Sequence, residues 1–357
     1  MPIGAYRIAS YTQGGGGSGG GGGTGGGSKF LAVSSQTTPF ITIYSRTDDT
    51  FTKLSNPASL PGGNSQSSCR FDRQVSGGVV SSGLLATTQG TSPYINTYTI
   101  SGTTFTKNAD PATPPAGEAH QIAFSPDSML AVAHDGSPFL SVYTADRLKL
   151  NNPSILPSGN GEGVAWNGRT RVAIGGAGAS PSISVYSVSG QAPASTLARV
   201  ANFTVGGGQI GYSLAYTSTG SHLAVAHDVS PYVTVFSISG DTYTKVSDPA
   251  TLPTGNARGV AWNPDGTSLA VAHTTSPFVT IYNRSGNTLT KVANPPDLPA
   301  GNGTMVSWSA DGTSLAVAHA TSPFVTIYNR SGDTFTKVAN PATLPPSSAR
   351  GVDFSAS

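Results

Sequence analysis

The chain has 357 residues, with 45 glycines, 26 prolines and only 10% charged residues, and its 19 basic and 17 acidic side chains leave a formal charge of +2. That balance excludes a charge-driven disordered chain and a densely basic nucleic-acid binder, and a single cysteine, Cys69, excludes an intrachain disulfide framework or a zinc site built on several thiolates. No apolar run approaches the ~20 residues that span a bilayer, and the opening MPIGAYRIAS lacks a signal-peptide core, so the sequence predicts no membrane insertion and no Sec export.

Residues 1–13 carry Ile3, Tyr6, Ile8 and Tyr11 among small polar residues and read as a docking peptide that adds to a partner, in the manner of an extra strand. Residues 14–28 read as a tether, because residues 14–27 contain twelve glycines. As a random coil such a stretch reaches roughly 20 Å. It formally contains Gly-x-Gly-x-x-Gly, but no strand precedes it and no helix follows, so a phosphate loop is not expected.

Residues 29–357 are periodic. The proline of an SPF-like phrase recurs at Pro39, Pro93, Pro138, Pro181, Pro231, Pro277 and Pro323, with spacings of 54, 45, 43, 50, 46 and 46 residues. Each unit reads as four short strands: one ending in an aromatic (VAW), a Pro-Asp-Gly turn, SLAVAH, FVTIY, a Ser-Gly-Asn turn and TLTKV. No sustained period of 3.6 is present, so almost no helix is expected. Four strands every ~45 residues make a propeller blade. The final GVDFSAS is a first strand without a blade, and the first repeat is a blade without a first strand. Pairing them predicts an all-β, seven-bladed β-propeller closed by the C-terminal strand around 352–354, with an extended Gly-rich arm at its N-terminus.

Repeated side chains read first as scaffold. Aromatics end strand one at Phe71, Phe124, Trp166, Tyr216, Trp262, Trp308 and Phe354, and a cation recurs in the outer strand from Lys53 to Lys337. The former suit packing between blades, the latter suits an exposed edge that resists association. Histidines end strand two at His134, His227, His273 and His319. They read as structural, with Ser276 and Ser322 as nearby hydrogen-bond partners, rather than as metal ligands.

Variation points elsewhere. Four residues before each strand-one aromatic stand Ser67, His120, Glu162, Tyr212, Arg258, Thr304 and Arg350, which should ring one mouth of the central channel. Glu118 and Glu162, the only two glutamates, both fall near that mouth. The candidate ligand or partner ring is therefore His120, Glu162, Tyr212, Arg258, Thr304 and Arg350. Blade four, residues 166–205, departs furthest from the repeat.

The phrase FSPDxxLAVA resembles WD-repeat and YVTN-type propellers, although the Trp-Asp and Gly-His pairs of strict WD repeats are missing. The tandem AVAHxxSPFVTIYNRSGDTFTKVANPATLP resembles propeller repeats of tailed-bacteriophage virion proteins. That resemblance implies a non-enzymatic structural component of a phage particle, on the tail or decorating the capsid, made in the host cytoplasm and present in multiple copies. It would be anchored to other virion proteins through residues 1–28 and would present its ring to a protein or host-surface glycan. No catalytic residue, metal or cofactor is expected on this reading. A carbohydrate-binding propeller is the alternative. A propeller lactonase-type hydrolase ranks third, because glutamate is scarce and no Cys/His motif is present.

Overall fold

A computed structural model describes residues 28–63, 68–76, 79–177, 180–189, 196–205 and 210–356. Ile3, Tyr6, Ile8, Tyr11 and Ser67 lie outside the described residues. The described chain is all-β, with seven antiparallel sheets arranged as the blades of a closed ring.

The repeat Leu-Ala-Val-Ala shows why these residues make blades. In the strand Ser268–His273 every residue is buried. Leu269 and Val271 join the core shared with blade five, while Ala270 and Ala272 join the core shared with blade seven. Successive side chains of a strand point to opposite faces, so one strand serves two interfaces: its larger residues fill one and its alanines make room in the other. Trp308, Leu315 and Tyr328 of blade seven occupy the space over those alanines. Seven such cores, one per interface, hold the ring. Outer strands are wet on one face, so Thr334–Lys337 alternates exposed and buried residues.

The C-terminal strand Ala349–Phe354 completes blade one by pairing antiparallel with Phe30–Ser35, with Val352 opposite Val33 and Phe354 opposite Leu31. Asp353, 4% exposed, adds the clasp. It accepts hydrogen bonds from the Phe71 amide at 2.9 Å in blade two and from Ser307 Oγ at 2.8 Å in blade seven. Arg73 stands 3.5 Å and Arg70 3.8 Å from the same carboxylate.

Two blades differ from the four-strand expectation. In blade three TADRLKL replaces the hairpin turn, and the outer strand shrinks to a bridge between Tyr143 and Lys149. Blade two carries an added hairpin, Gln74–Ser76 with Val79–Ser81, where other blades make a short turn.

The repeated side chains are largely scaffold. Trp166, Trp262 and Trp308 each donate an indole N–H to the preceding blade, to the carbonyls of Ala123, Ala215 and Ala261. His227, His273 and His319 are fully buried, and each shares a 2.9 Å hydrogen bond through Nε2 with Thr234, Thr280 or Thr326. The partner is thus on the facing third strand, seven residues on, and not the expected Ser276 or Ser322. The outer lysines also have a more specific task than guarding an edge. Lys53, Lys107, Lys245 and Lys291 each reach the Asn or Asp that precedes the proline of the loop to the next blade, at 2.6–3.0 Å.

Candidate active site

One end of the channel is built by a defect that recurs. In the innermost strands Ala119–Phe124, Gly161–Asn167, Ala257–Trp262, Gly303–Trp308 and Ala349–Phe354, the pairing register shifts once near the start. The residue skipped is His120, Glu162, Arg258, Thr304 and Arg350 in turn. A β-bulge leaves its extra residue outside the ladder and re-aims its side chain, and bulges concentrate beside active sites. Tyr212 takes the corresponding place just before Ser213–Tyr216, its amide bonded to the Ala226 carbonyl at 3.0 Å. Five blades thus use the same bulge to aim chemically different side chains at one mouth.

Glu162, Tyr212, Arg258, Thr304 and Arg350 line a cavity of about 420 Å3 there. Glu162 is the group in it best placed to move a proton. His120 Nδ1 lies 3.7 Å from Glu162 Oε2, and His120 Nε2 lies 3.1 Å from Asp135 Oδ1. The latter contact is within ion-pair range but off the line of a well-formed hydrogen bond. Burial pushes the Glu162 carboxyl above its usual range, and the nearby charges of Asp135 and Glu118 push the same way, against the pull of His120 and Arg258. A carboxylate shifted towards neutrality is a better base and a better acid at working pH.

The cations are held in place. The Arg258 guanidinium stacks on the Tyr212 ring, 4.1 Å from its centroid. Gln36, with its amide oriented to satisfy both groups, accepts from Arg350 Nε and Nη2 at 3.2 and 2.6 Å. Burial and the neighbouring charge of Arg258 lower the Arg350 pKa, as expected of two guanidinium groups facing one cavity. Such a pair is suited to an anion or to a developing oxyanion. Thr304 is different, because its hydroxyl donates to the Ala349 carbonyl at 2.9 Å and ties blade seven to blade one.

The structure therefore brings together His120, Glu162, Tyr212, Arg258, Thr304 and Arg350, but not as one functional set. His120 reaches the cavity through Glu162, and Thr304 is scaffold. Two participants do not stand out in the sequence reading. Asp135 follows the strand-two histidine where other blades have Thr274 or Ala320, and Gln121 stands where others have Gly163, Ser213, Gly259, Met305 or Gly351. Comparing the repeats marks Gln121 as a departure, whereas Asp135 has a counterpart in Asp228 of blade five and stands out only beside His120. The four strand-two histidines each bond through Nε2 to the third strand of their own blade.

No family model and no curated protein matches the chain. Solved structures do. A Bacteroides fragilis protein provisionally named a 6-phosphogluconolactonase matches with a TM-score of 0.72 at 14% identity, over 94% of this chain and 99% of that one. A Lactobacillus plantarum protein matches at 0.71 and 15%, over 92% and 99%. The periplasmic gluconolactonase of Pseudomonas aeruginosa matches at 0.69 and 14%, over 92% and 99%. Identities this low establish the seven-bladed ring and not an activity. They nevertheless correct the leading expectation from sequence, a non-enzymatic phage-particle component. Propellers that share this ring over nearly their whole length bear lactonase names, the reading ranked third. Scarcity of glutamate is a weak argument against an enzyme, since proton transfer needs only one suitably placed carboxyl group.

Proposed function

We propose that the chain hydrolyses lactones of small hydroxy acids at the bulge-lined mouth of its channel. The observation that carries the reading is Glu162, 3.7 Å from His120 and lining one cavity with the guanidinium groups of Arg258 and Arg350. The likeness in fold to proteins named as gluconolactonases supports the choice of reaction class.

The steps balance with water as the sole co-reactant. Glu162 takes a proton from a water molecule as its oxygen adds to the lactone carbonyl. The carbonyl π electrons move to oxygen, and Arg258 and Arg350 offset the negative charge formed there. The oxyanion collapses, the ring C–O bond breaks, and Glu162 returns its proton to the departing ring oxygen. The product is the open hydroxy acid. His120, with Asp135 behind it, holds the Glu162 carboxyl in place between the two proton transfers.

Hydrolysis of glucono-1,5-lactone and of its 6-phosphate, followed by acid release in lightly buffered solution, tests the reading. Glu162→Gln should lower kcat by about 10²-fold or more. The acid limb of the kcat/KM profile should lie above the ~4.3 of an ordinary glutamate, because the raised pKa delays formation of the base. If the unmodified protein hydrolyses neither lactone above the uncatalysed rate, the reading fails.

A further inference from the structure

Besides His120 Nε2, a second polar atom at the mouth is left without a hydrogen bond among the described residues. Gln121, in the innermost strand of blade three, is 2% exposed and forms part of the cavity wall. Its Oε1 accepts the backbone N–H of Val164 in blade four at 3.1 Å. That bond fixes which end of the amide faces the neighbouring blade, and so where the amino end lies. Gln121 Nε2 has no hydrogen-bond partner among the described residues. A buried donor left without a partner is destabilising, so it is rarely kept without a use.

The scaffold does not require this group. At the same place in blade five, Ser213 Oγ receives the Val260 amide at 3.4 Å, so a hydroxyl suffices for the link between blades. In blades six and seven the position is Gly259, which has no side chain, and Met305, whose sulfur accepts from Arg70 Nη2 at 3.5 Å and not from a neighbouring amide. The extra reach and amino group of Gln121 are therefore not spent on the link between blades, and its side chain shares the cavity wall with Glu162 and Arg258.

We propose that Gln121 directs its carboxamide N–H pair at the carbonyl oxygen of the bound lactone, as a preoriented donor that polarises the carbonyl and holds the oxyanion. The assignment rests on the lactonase reading for its substrate, while the donor role can be tested without turnover. An oxyanion donor is effective when it is fixed before reaction, and the Val164 bond fixes this one.

Two variants separate the role from structure. Gln121→Ser keeps an acceptor for Val164, as blade five does, and removes the donor. Gln121→Met keeps most of the volume and removes both. Gln121→Ser should melt within about 3 °C of the unmodified protein, and its kcat on glucono-1,5-lactone should fall about 10²-fold with KM little changed. In the unmodified protein, the side-chain amide resonance that disappears in Gln121→Ser should shift when D-gluconate, the stable product, is added. A folded Gln121→Ser with unchanged kcat and KM, together with an amide signal that gluconate does not move, overturns the proposal. If the unmodified protein hydrolyses no lactone, the lactonase reading fails by itself. The amide signal then decides Gln121: a shift with gluconate sustains the donor, and no shift overturns it.

Discussion

His227, His273 and His319 illustrate how a repeated residue can dominate chemistry without belonging to a site. Burial lowers each pKa to about 4, so all three are neutral near pH 7. In the unfolded chain the same imidazoles take up a proton near ~6.5. Between those values the unfolded state binds more protons, so the stability they contribute is full above about pH 6.5 and lost as pH falls towards 4. Each can contribute on the order of 2 kcal/mol to that loss. Urea unfolding at pH 7 and pH 5 should show it as a falling midpoint. His273→Gln, which can still donate to Thr280 but does not titrate, should flatten the slope while lowering stability at pH 7. An unchanged slope would assign the acid sensitivity to other groups.

At the scale of elements, the small and large faces of each second strand carry the argument. Ala270 and Ala272 are fully buried under Trp308 and Leu315. Ala270→Leu should therefore force that interface apart and cost about 1–3 kcal/mol. The variant Ser285→Ala, at the exposed end of the neighbouring strand Val279–Ser285, alters no such packing and serves as the comparison in denaturant titration. This pattern is also what made the fold legible from sequence, since Leu-Ala-Val-Ala at fixed spacing can bury both faces only between like neighbours. The site was legible in part. Departures from the repeat located His120, Glu162, Tyr212, Arg258 and Arg350, because a ring of equivalent positions brings variable side chains to one mouth. The bulges that aim them were not legible, for a register shift depends on which partner residue is skipped. Gln121 was hidden for the same reason: after the bulge, its position faces the next blade, where one end of its amide is spent. The outer strand of blade three failed for a local reason, because TADRLKL turns at Arg147, whose φ of 62° ends the hairpin early.

The ring as a whole depends on its last strand, since seven interfaces close only if blade one is complete. Ala349–Phe354 covers the ladder edge of Phe30–Ser35, places Phe354 and Val352 in the core between blades seven and one, and carries Asp353 across to blade two. Removing residues 349–357 would leave a fully buried strand with a bare edge, and bare edges recruit other strands. It would also strip the Phe71 amide, Ser307 Oγ and Arg73 of a shared partner. The truncated chain should form oligomers or aggregates by light scattering, where the unmodified chain gives a single species. Asp353→Ala isolates the clasp from the ladder, because the strand keeps its pairing while Phe71 N and two arginines lose their carboxylate. It should lower stability by about 2–4 kcal/mol in denaturant without oligomer formation. Asp353→Asn, which keeps an acceptor for Phe71 or Ser307, should lose less than Asp353→Ala. The mouth offers a second reading of the same variants, since Arg350 lies on the closing strand. Truncation should abolish the proposed lactone hydrolysis along with the ring, whereas Asp353→Asn, at the other end of the strand, should leave the kcat of that reaction close to that of the unmodified protein. Equal stability of Asp353→Ala and the unmodified chain would show that the ladder and the apolar core close the ring without the clasp.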